Sequence, residues 1–204
     1  MKKIISNRVK KISADQVKKL REETGASVME CREALVNSEG DAEKAREYLR
    51  KKGKEKAQKK SGRETREGVV SAYIHSNKKI GALVEIRCET DFVAKNAEFQ
   101  ELSHDLAMHV AAMDPKFILF DEVSEKERKE YEDLAREEIT KEKKPKEIVE
   151  KIVSGKTEKH FSEQCLMRQK FIKNPDITVE DLVKEKISKI GENIKIERIV
   201  RFEI

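Results

Sequence analysis

The stretch GVVSAYIHSNKKIGALVEIRCE, Gly68–Glu89, decides the fold class of this chain of 204 residues. It contains two β-rich runs, Val69–His75 and Ile80–Cys88, and the polar residues Ser76–Lys79 between them suit a tight turn. Apolar side chains recur at every second position, which is the spacing of one face of a strand. The stretch therefore predicts a β-hairpin. The residues expected to share a face are Val70, Ala72 and Ile74 in the first strand, and Val84, Ile86 and Cys88 in the second.

The end of the chain, NIKIERIVRFEI (residues 193–204), also alternates like a strand. The residues expected to share its apolar face are Ile194, Ile196, Val200, Phe202 and Ile204, with Arg198 as an interruption. A strand with one polar face pairs with an existing sheet, and the hairpin is the obvious partner. The sequence therefore predicts an α+β fold with a core of an antiparallel sheet and several helices.

The first fifty residues predict a bundle of three short helices. Ser13 and Ser27 each begin a capping-box pattern, and Gly25 provides a stop after the first helix. Asp41 can cap the third helix, which we expect to end before Gly53. A bundle of this size buries little surface, so it fits a docking module better than an enzyme.

The basic residues are concentrated in one segment. Arg50–Glu67 holds nine Lys or Arg and three Glu, a local charge of +6, so with a net charge of +5 the remaining residues sum to −1. This segment is interpreted as a solvated linker or a helix extension; the alternative is an RNA- or ribosome-binding protein that uses residues 50–66. We predict a three-helix domain over 1–53, a basic linker over 54–67 and an α+β core over 68–204.

The remaining segments predict further helices. Apolar residues from Phe99 to Met113 recur at intervals of three and four residues, as on one face of a long helix. The other helices are predicted from near Ser124, from Pro145 to Val153 with a break at Gly155, over Thr157–Ile172, and from Thr178 to about Ile190.

The motifs of common enzymes are absent from the sequence. It contains no phosphate-binding loop, no dinucleotide-binding fingerprint and no nucleophile elbow. His104 and His109 are five residues apart, so they point about 140° apart around a helix and do not form a metal-binding pair. We therefore expect no catalytic residue, no metal and no cofactor.

The compartment is indicated by the cysteines and by the apolar runs. Cys31, Cys88 and Cys165 lie far apart, which is typical of buried thiols in a reducing cytoplasm. No apolar run reaches the roughly 20 residues that span a bilayer. The first eleven residues are basic but lack a hydrophobic core and a cleavage site, so no secretory signal is expected.

The segment ETDFVAKNAEF, Glu89–Phe99, has two interpretations. Phe92 lies seven residues before Phe99, so it could continue the apolar stripe of the long helix as a core residue. Alternatively, Asn96 caps that helix and the residues before it form an exposed turn, here named the 90–95 turn (Thr90–Lys95). An exposed aromatic ring beside an acid would then be a candidate anchor for a protein partner. Spacing alone leaves both interpretations open.

Four segments in the same order resemble the bacterial translation elongation factor Ts family. They are LREETGASVMECREAL (Leu20–Leu35), GDAEKAREYLRKKG (Gly40–Gly53), TDFVAKN (Thr90–Asn96) and TVEDLVKEKISKIGENIKIERIVRF (Thr178–Phe202). Together they cover the two ends and the centre of the chain. The resemblance implies a ubiquitin-associated-like (UBA-like) three-helix domain followed by an α+β core.

The resemblance also implies a function, nucleotide exchange on the GTPase elongation factor Tu, and assigns residues to it. The TDFVAKN segment of the family pushes into the GTPase near its bound magnesium ion. By matching position Asp91 and Phe92 would do this here, framed by Thr90 and Val93. Other implied contacts with the GTPase are Arg21, Val28, Met29, Ile190, Gly191 and Glu192. Core packing is the alternative for Val28 and Ile190.

The resemblance extends to the assembly. This chain has one copy of the hairpin-and-helix unit, whereas longer relatives carry a duplicated core. A short form is expected to be a homodimer, which is consistent with an exposed sheet edge. We expect no contact with nucleic acid or membrane.

Overall fold

The computed structural model describes residues 12–140 and 145–204 of the chain. Its mixture of helices and antiparallel strands confirms the predicted α+β class. The prediction about a secretory signal falls on residues 1–11, which lie outside the described residues. The chain forms two compact units. The first holds the described residues up to Gly62 and Lys184–Glu192, and the second holds Arg63–Val183 and Asn193–Ile204.

The helices and strands are numbered here in the order in which they occur along the chain. The helices are α1 (Ala14–Thr24), α2 (Val28–Asn37), α3 (Ala42–Lys60), α4 (Asp91–Ala94), α5 (Ala97–Met113), α6 (Glu125–Thr140), α7 (Lys146–Gln164) and α8 (Val179–Ile190). The strands are β1 (Glu67–Ile74), β2 (Ile80–Cys88), β3 (Lys170–Phe171), β4 (Asn174–Thr178) and β5 (Lys195–Glu203). Two 3₁₀ turns lie at Phe120–Glu122 and Leu166–Arg168.

The first unit contains the predicted bundle of α1, α2 and α3. Ser13 and Ser27 both form complete capping boxes, and the side chain of Asp41 accepts hydrogen bonds at the start of α3. Gly25 ends α1 with a φ of 67°, a left-handed conformation that favours glycine. The buried core residues of the bundle are Val17, Leu20, Cys31, Ala34, Leu35 and Ala45.

Helix α3 is longer than the sequence predicted. It passes through Gly53 and ends at Lys60, so residues 54–60 are helical, as in the helix extension that the charge pattern left open. Side chains of α3 on both sides of Gly53 are ion-paired with α2, since Lys52 contacts Glu33 and Lys56, in the extension, contacts Glu30. These contacts, together with the strong helix formers around Gly53, offset the modest cost of a mid-helix glycine. The boundaries of the three predicted domains stay a prediction.

The second unit is built on a three-stranded antiparallel sheet in the order β1-β2-β5. The predicted hairpin and the pairing of the C-terminal strand with it are confirmed. Helix α5 packs across β1 and β2 on one side, which we call the inner face of the sheet. Val84, Ile86 and Cys88 are buried there, opposite the buried apolar stripe of α5. The other side, the outer face, carries Val70 and Ile74.

The predicted apolar face of the C-terminal strand is wrong beyond Ile196. The pairing with β2 shifts register there: Ile86 pairs with Ile196, but its neighbour Glu85 pairs with Arg198. Glu197 is therefore an extra residue, a β-bulge, and the side chains after it change face. Val200 and Phe202 point to the outer face, whereas Ile194 is buried.

The segment around Gly155 also differs from the prediction. Helix α7 continues through Gly155 to Gln164, where the sequence predicted a break followed by a helix over Thr157–Ile172. Its buried residues Val149, Val153, Thr157 and Phe161 give it a continuous packing face. The chain then forms the short hairpin of β3 and β4. Tertiary packing thus overrides the local signal of the glycine.

Candidate functional site

The 90–95 turn connects β2 to α5 and contains the one-turn helix α4. Thr90 is its N-cap, because the Thr90 hydroxyl accepts a hydrogen bond from the Val93 N–H at 3.4 Å. Asn96 starts α5 in the same way, accepting from the Glu98 N–H at 2.8 Å. Two separate helix starts within seven residues place α4 and α5 on different axes.

This break decides between the two interpretations of Phe92. Phe99 is fully buried under the sheet, but Phe92 is 82% exposed, and Ala94 is the residue of α4 that packs inward. The interpretation with an Asn96 cap and an exposed ring is therefore the correct one. An aromatic side chain this exposed contributes little to the stability of the fold, because most of its apolar surface stays in water.

Asp91 and Lys95 form an ion pair across the turn. The carboxylate of Asp91 accepts a hydrogen bond from Lys95 Nζ at 2.8 Å. This hydrogen bond lowers the pKa of Asp91, and the same contact raises the pKa of Lys95. Asp91 is therefore a charged acceptor beside the exposed ring, in a position to meet a polar group of a partner.

Two side chains that the sequence analysis missed hold the turn in place. The buried thiol of Cys88 donates to the Thr90 carbonyl oxygen at 3.2 Å. At the other end, Gln100 Nε2 donates to the Ala94 carbonyl oxygen at 2.5 Å. The sequence carries no signal for such contacts, because they depend on where the backbone turns.

The other residues predicted to contact a partner lie in the first unit. Val28 is 49% exposed and Met29 is 70% exposed at the start of α2, so core packing is not the role of Val28. Arg21 is exposed on α1, and Ile190 is partly buried at the end of α8. Thr90, Asp91, Phe92 and Val93 lie in the second unit.

Within the first unit, the end of α8 lies beside the turn between α1 and α2. A Cβ atom added at Gly25 would be 3.0 Å from the Lys189 side chain. Gly191 follows with a φ of 92°, and its carbonyl oxygen accepts a hydrogen bond from Lys60 Nζ. The fold therefore places residues 190–192, which are predicted to contact a partner, close to the predicted contact residues on either side of Gly25.

Among residues 12–140 and 145–204, no cluster of three His, Cys, Asp or Glu side chains has the arrangement of a metal site. None of the helices described there is both long enough and apolar enough to cross a bilayer.

Comparison with known proteins covers nearly the whole chain. A family model described as Elongation factor TS matches residues 5–204. Proteins named Elongation factor Ts from Thermosipho melanesiensis and Pseudothermotoga lettingae are 51% and 52% identical over 193 residues, covering 95% of this chain and 98% of each relative. A third, from Carboxydothermus hydrogenoformans, is 52% identical over 193 residues, which are 95% of this chain and 89% of the relative.

The chain belongs to the elongation factor Ts family. Membership confirms the family that the four sequence segments indicated. It also confirms the predicted role in translation elongation, nucleotide exchange on elongation factor Tu, and does not favour an RNA-binding protein. The site of an elongation factor Ts is a surface for a protein partner.

Proposed function

We propose that this chain releases GDP from elongation factor Tu by inserting Phe92 next to the magnesium and nucleotide site of the GTPase. The observation that carries the proposal is the 82% exposure of the Phe92 ring on a turn that is fixed at both ends. Large rings with little freedom are the usual anchors of protein interfaces. Asp91 is the polar partner of the ring, and Thr90 and Val93 frame the two.

The mechanism follows from the role of the metal ion. Magnesium bridges the nucleotide phosphates to a GTPase and neutralises their charge. A ring that displaces the groups around the ion weakens the binding of GDP. By linkage, GDP then weakens the binding of the exchange factor to the same extent. The factor binds GDP-bound or nucleotide-free elongation factor Tu and transforms no substrate, so it acts without a catalytic residue.

A second group of contacts supports the same interaction from the first unit. Val28 and Met29 expose apolar side chains at the start of α2, and Arg21 lies exposed on α1. We assign these residues, with Ile190, Gly191 and Glu192, to the binding of elongation factor Tu. They hold the partner, whereas the 90–95 turn changes its affinity for GDP. Because the partner acts in translation, the compartment of the complex is the cytoplasm.

The experiment is the release of fluorescent GDP from elongation factor Tu, followed with this chain, with Phe92→Ala and with Leu119→Ala. Leu119 is a matched control, because it is an exposed apolar residue of the second unit outside the turn. We expect rapid release with the wild type and the control, and release slower by about tenfold or more with Phe92→Ala. Circular dichroism verifies that all three proteins are folded.

Two other outcomes of this experiment would change the proposal. A folded wild type that does not accelerate release from a cognate partner would overturn the exchange mechanism. Equal acceleration by the wild type and Phe92→Ala would leave the exchange function in place and remove Phe92 from its mechanism.

The outer face of the sheet supports the proposal that the chain is a homodimer. Five apolar side chains are exposed there across all three strands: Val70, Ile74, Leu83, Val200 and Phe202. Contiguous apolar surface of this kind marks an interaction site in a soluble protein. The charges beside it are already paired, since Glu85 accepts hydrogen bonds from Arg198 and Arg87. An apolar face whose neighbouring carboxylate is already paired suits a second copy of itself in a two-fold interface.

Light scattering measures this assembly directly. We expect a mass of twice 23.6 kDa for the wild type and a shift to the monomer for Phe202→Glu. Leu134→Glu, an exposed apolar residue on α6, is the control and should remain a dimer. A monomeric wild type at micromolar concentration would contradict the homodimer.

A further inference from the structure

Glu89 stands immediately before the 90–95 turn, between the end of β2 and the Thr90 cap. Its side chain turns back toward the body of the second unit instead of pointing to solvent with Phe92. The Glu89 carboxylate accepts a hydrogen bond from the Asn193 backbone N–H at 2.6 Å, and Arg63 Nη1 lies 3.5 Å from the same oxygen. These partners lie 104 and 26 residues away in the sequence.

Asn193 completes this arrangement. It is only 2% exposed, and its side-chain amide donates to the Arg63 carbonyl oxygen at 2.8 Å. The Glu89 carboxylate and Asn193 thus join three segments: the end of β2, the residues that lead into β1, and those that lead into β5. A partly buried acceptor that joins segments so distant in sequence fixes their relative position.

The turn needs such support because α4 has only four residues. A single helical turn is not stable by itself. The exposed Phe92 ring makes little packing contact that could orient it. The direction of the ring is therefore determined by what holds the ends of the turn. Cys88 and Gln100 fix the backbone at Thr90 and Ala94, and Glu89 connects the start of the turn to the rest of the unit.

We propose that Glu89 is a positioning residue for nucleotide exchange. Its carboxylate holds the start of the 90–95 turn so that Phe92 and Asp91 already point in the direction in which they act. This inference rests on the function proposed above for the turn. Pre-organisation of this kind acts on the step in which GDP is released, because a ring misplaced by about 1 Å loses much of its effect. It acts less on the affinity for the partner, which other contacts supply.

The experiment compares Glu89→Ala and Glu89→Gln with the wild type. Glutamine keeps a side-chain oxygen that can accept from the Asn193 N–H, whereas alanine removes it. GDP release is measured at increasing concentrations of the factor, which separates the maximal rate from the half-saturating concentration. We expect Glu89→Ala to lower the maximal rate about tenfold, the effect of losing one partly buried hydrogen bond to a charged group. The half-saturating concentration should change less than about threefold, and Glu89→Gln should restore most of the rate.

A second readout does not depend on activity. Hydrogen–deuterium exchange of the free protein reports on the amides of residues 90–96, and the amides of 106–113 in α5 serve as the internal reference. We expect Glu89→Ala to accelerate exchange in the first segment at least about fivefold and to leave the second unchanged, since the loss is local.

The two readouts distinguish failure of this inference from failure of the proposed function. An inactive wild type with accelerated exchange of 90–96 in Glu89→Ala would overturn the function and leave the positioning role in place. An active wild type with unchanged exchange and an unchanged maximal rate in Glu89→Ala would overturn the positioning role. A change confined to the half-saturating concentration would also overturn it, because Glu89 would then be a contact with the partner.

Discussion

The carboxylate of Asp91 accepts a hydrogen bond at 2.8 Å from Nζ of Lys95, one helical turn further along the chain. The pair lies on either side of Phe92 in the sequence, so the exposed ring stands beside a charged acceptor. Because the hydrogen bond lowers the pKa of Asp91, the carboxylate stays ionised well below neutral pH. An ionised carboxylate can accept a charge-assisted hydrogen bond from a partner without first losing a proton.

Replacing Asp91 by Asn tests the charge directly. We expect Asp91→Asn to slow GDP release from elongation factor Tu about tenfold, the value of one charge-assisted hydrogen bond. Lys95→Ala should have a smaller effect, since it leaves the carboxylate in place. Because the pKa of Asp91 is lowered, its contribution should be constant between about pH 6 and 8. A loss of the difference between wild type and Asp91→Asn within that range would contradict the assignment.

The exposure of Phe92 and the burial of Phe99 predict opposite effects on stability. Phe99→Ala should lower the free energy of unfolding by about 3–5 kcal/mol, because it leaves a cavity under the sheet. Phe92→Ala should change it by less than about 0.5 kcal/mol, since the ring makes little contact in the free protein. Urea unfolding followed by circular dichroism measures both. A strongly destabilised Phe92→Ala would mean that the ring is part of the core after all.

The sequence predicted those parts of the fold that are encoded locally. Ser13, Ser27 and Asp41 cap helices through residues only two or three positions away, so their role is visible in the spacing. The hairpin of β1 and β2 is likewise a local pairing across a short turn. Such signals do not depend on the remainder of the fold.

The parts that were not predicted depend on distant residues. Gly155 does not end α7, because packing against α6 supplies more than the glycine costs. The bulge at Glu197 is set by the register with β2 and not by the alternation in β5 itself. At the candidate site, the Asn96 cap was one of the two interpretations that the sequence allowed, whereas the Thr90 cap was not predicted. The contact between Glu89 and Asn193 spans 104 residues and could not.

The bulge at Glu197 leads to a prediction about deletion and substitution. Deleting Glu197 should remove the bulge and leave the rest of β5 in its present pairs, because Arg198 then follows Ile196 and still pairs with Glu85. Arg201 therefore keeps its hydrogen bond to the Ala111 carbonyl oxygen at the end of α5. Deleting Ile199, beyond the bulge, should instead turn Phe202 inward and Arg201 outward, and we expect it to lower the free energy of unfolding by about 3 kcal/mol or more. Deleting Glu197 should cost about 1 kcal/mol or less, and Glu197→Ala less than about 0.5 kcal/mol. Thermal unfolding that is equally affected by the two deletions would contradict the bulge.

The buried histidine of α5 predicts how stability depends on pH. His109 is fully buried, its Nδ1 accepts a hydrogen bond from the Ile172 N–H at 3.2 Å, and its Nε2 lies 2.9 Å from Gln169 Oε1. These partners require a neutral ring that is protonated at Nε2. Burial lowers the pKa of His109 in the folded protein, so the ring takes up a proton more readily in the unfolded chain. Stability is therefore unaffected above the unfolded pKa of about 6.5 and decreases as the pH falls below it.

We expect the free energy of unfolding to decrease between pH 7 and 5 by up to about 1.4 kcal/mol per pH unit from this group. His109→Gln should be less stable at pH 7.5 by about 1–3 kcal/mol, because buried hydrogen bonds are disturbed, and should lose this part of the pH dependence. His104→Gln is the control, since His104 is an exposed histidine on the same helix. Urea unfolding at a series of pH values gives the three slopes. If wild type and His109→Gln lose stability in parallel on acidification, His109 is not the group that titrates.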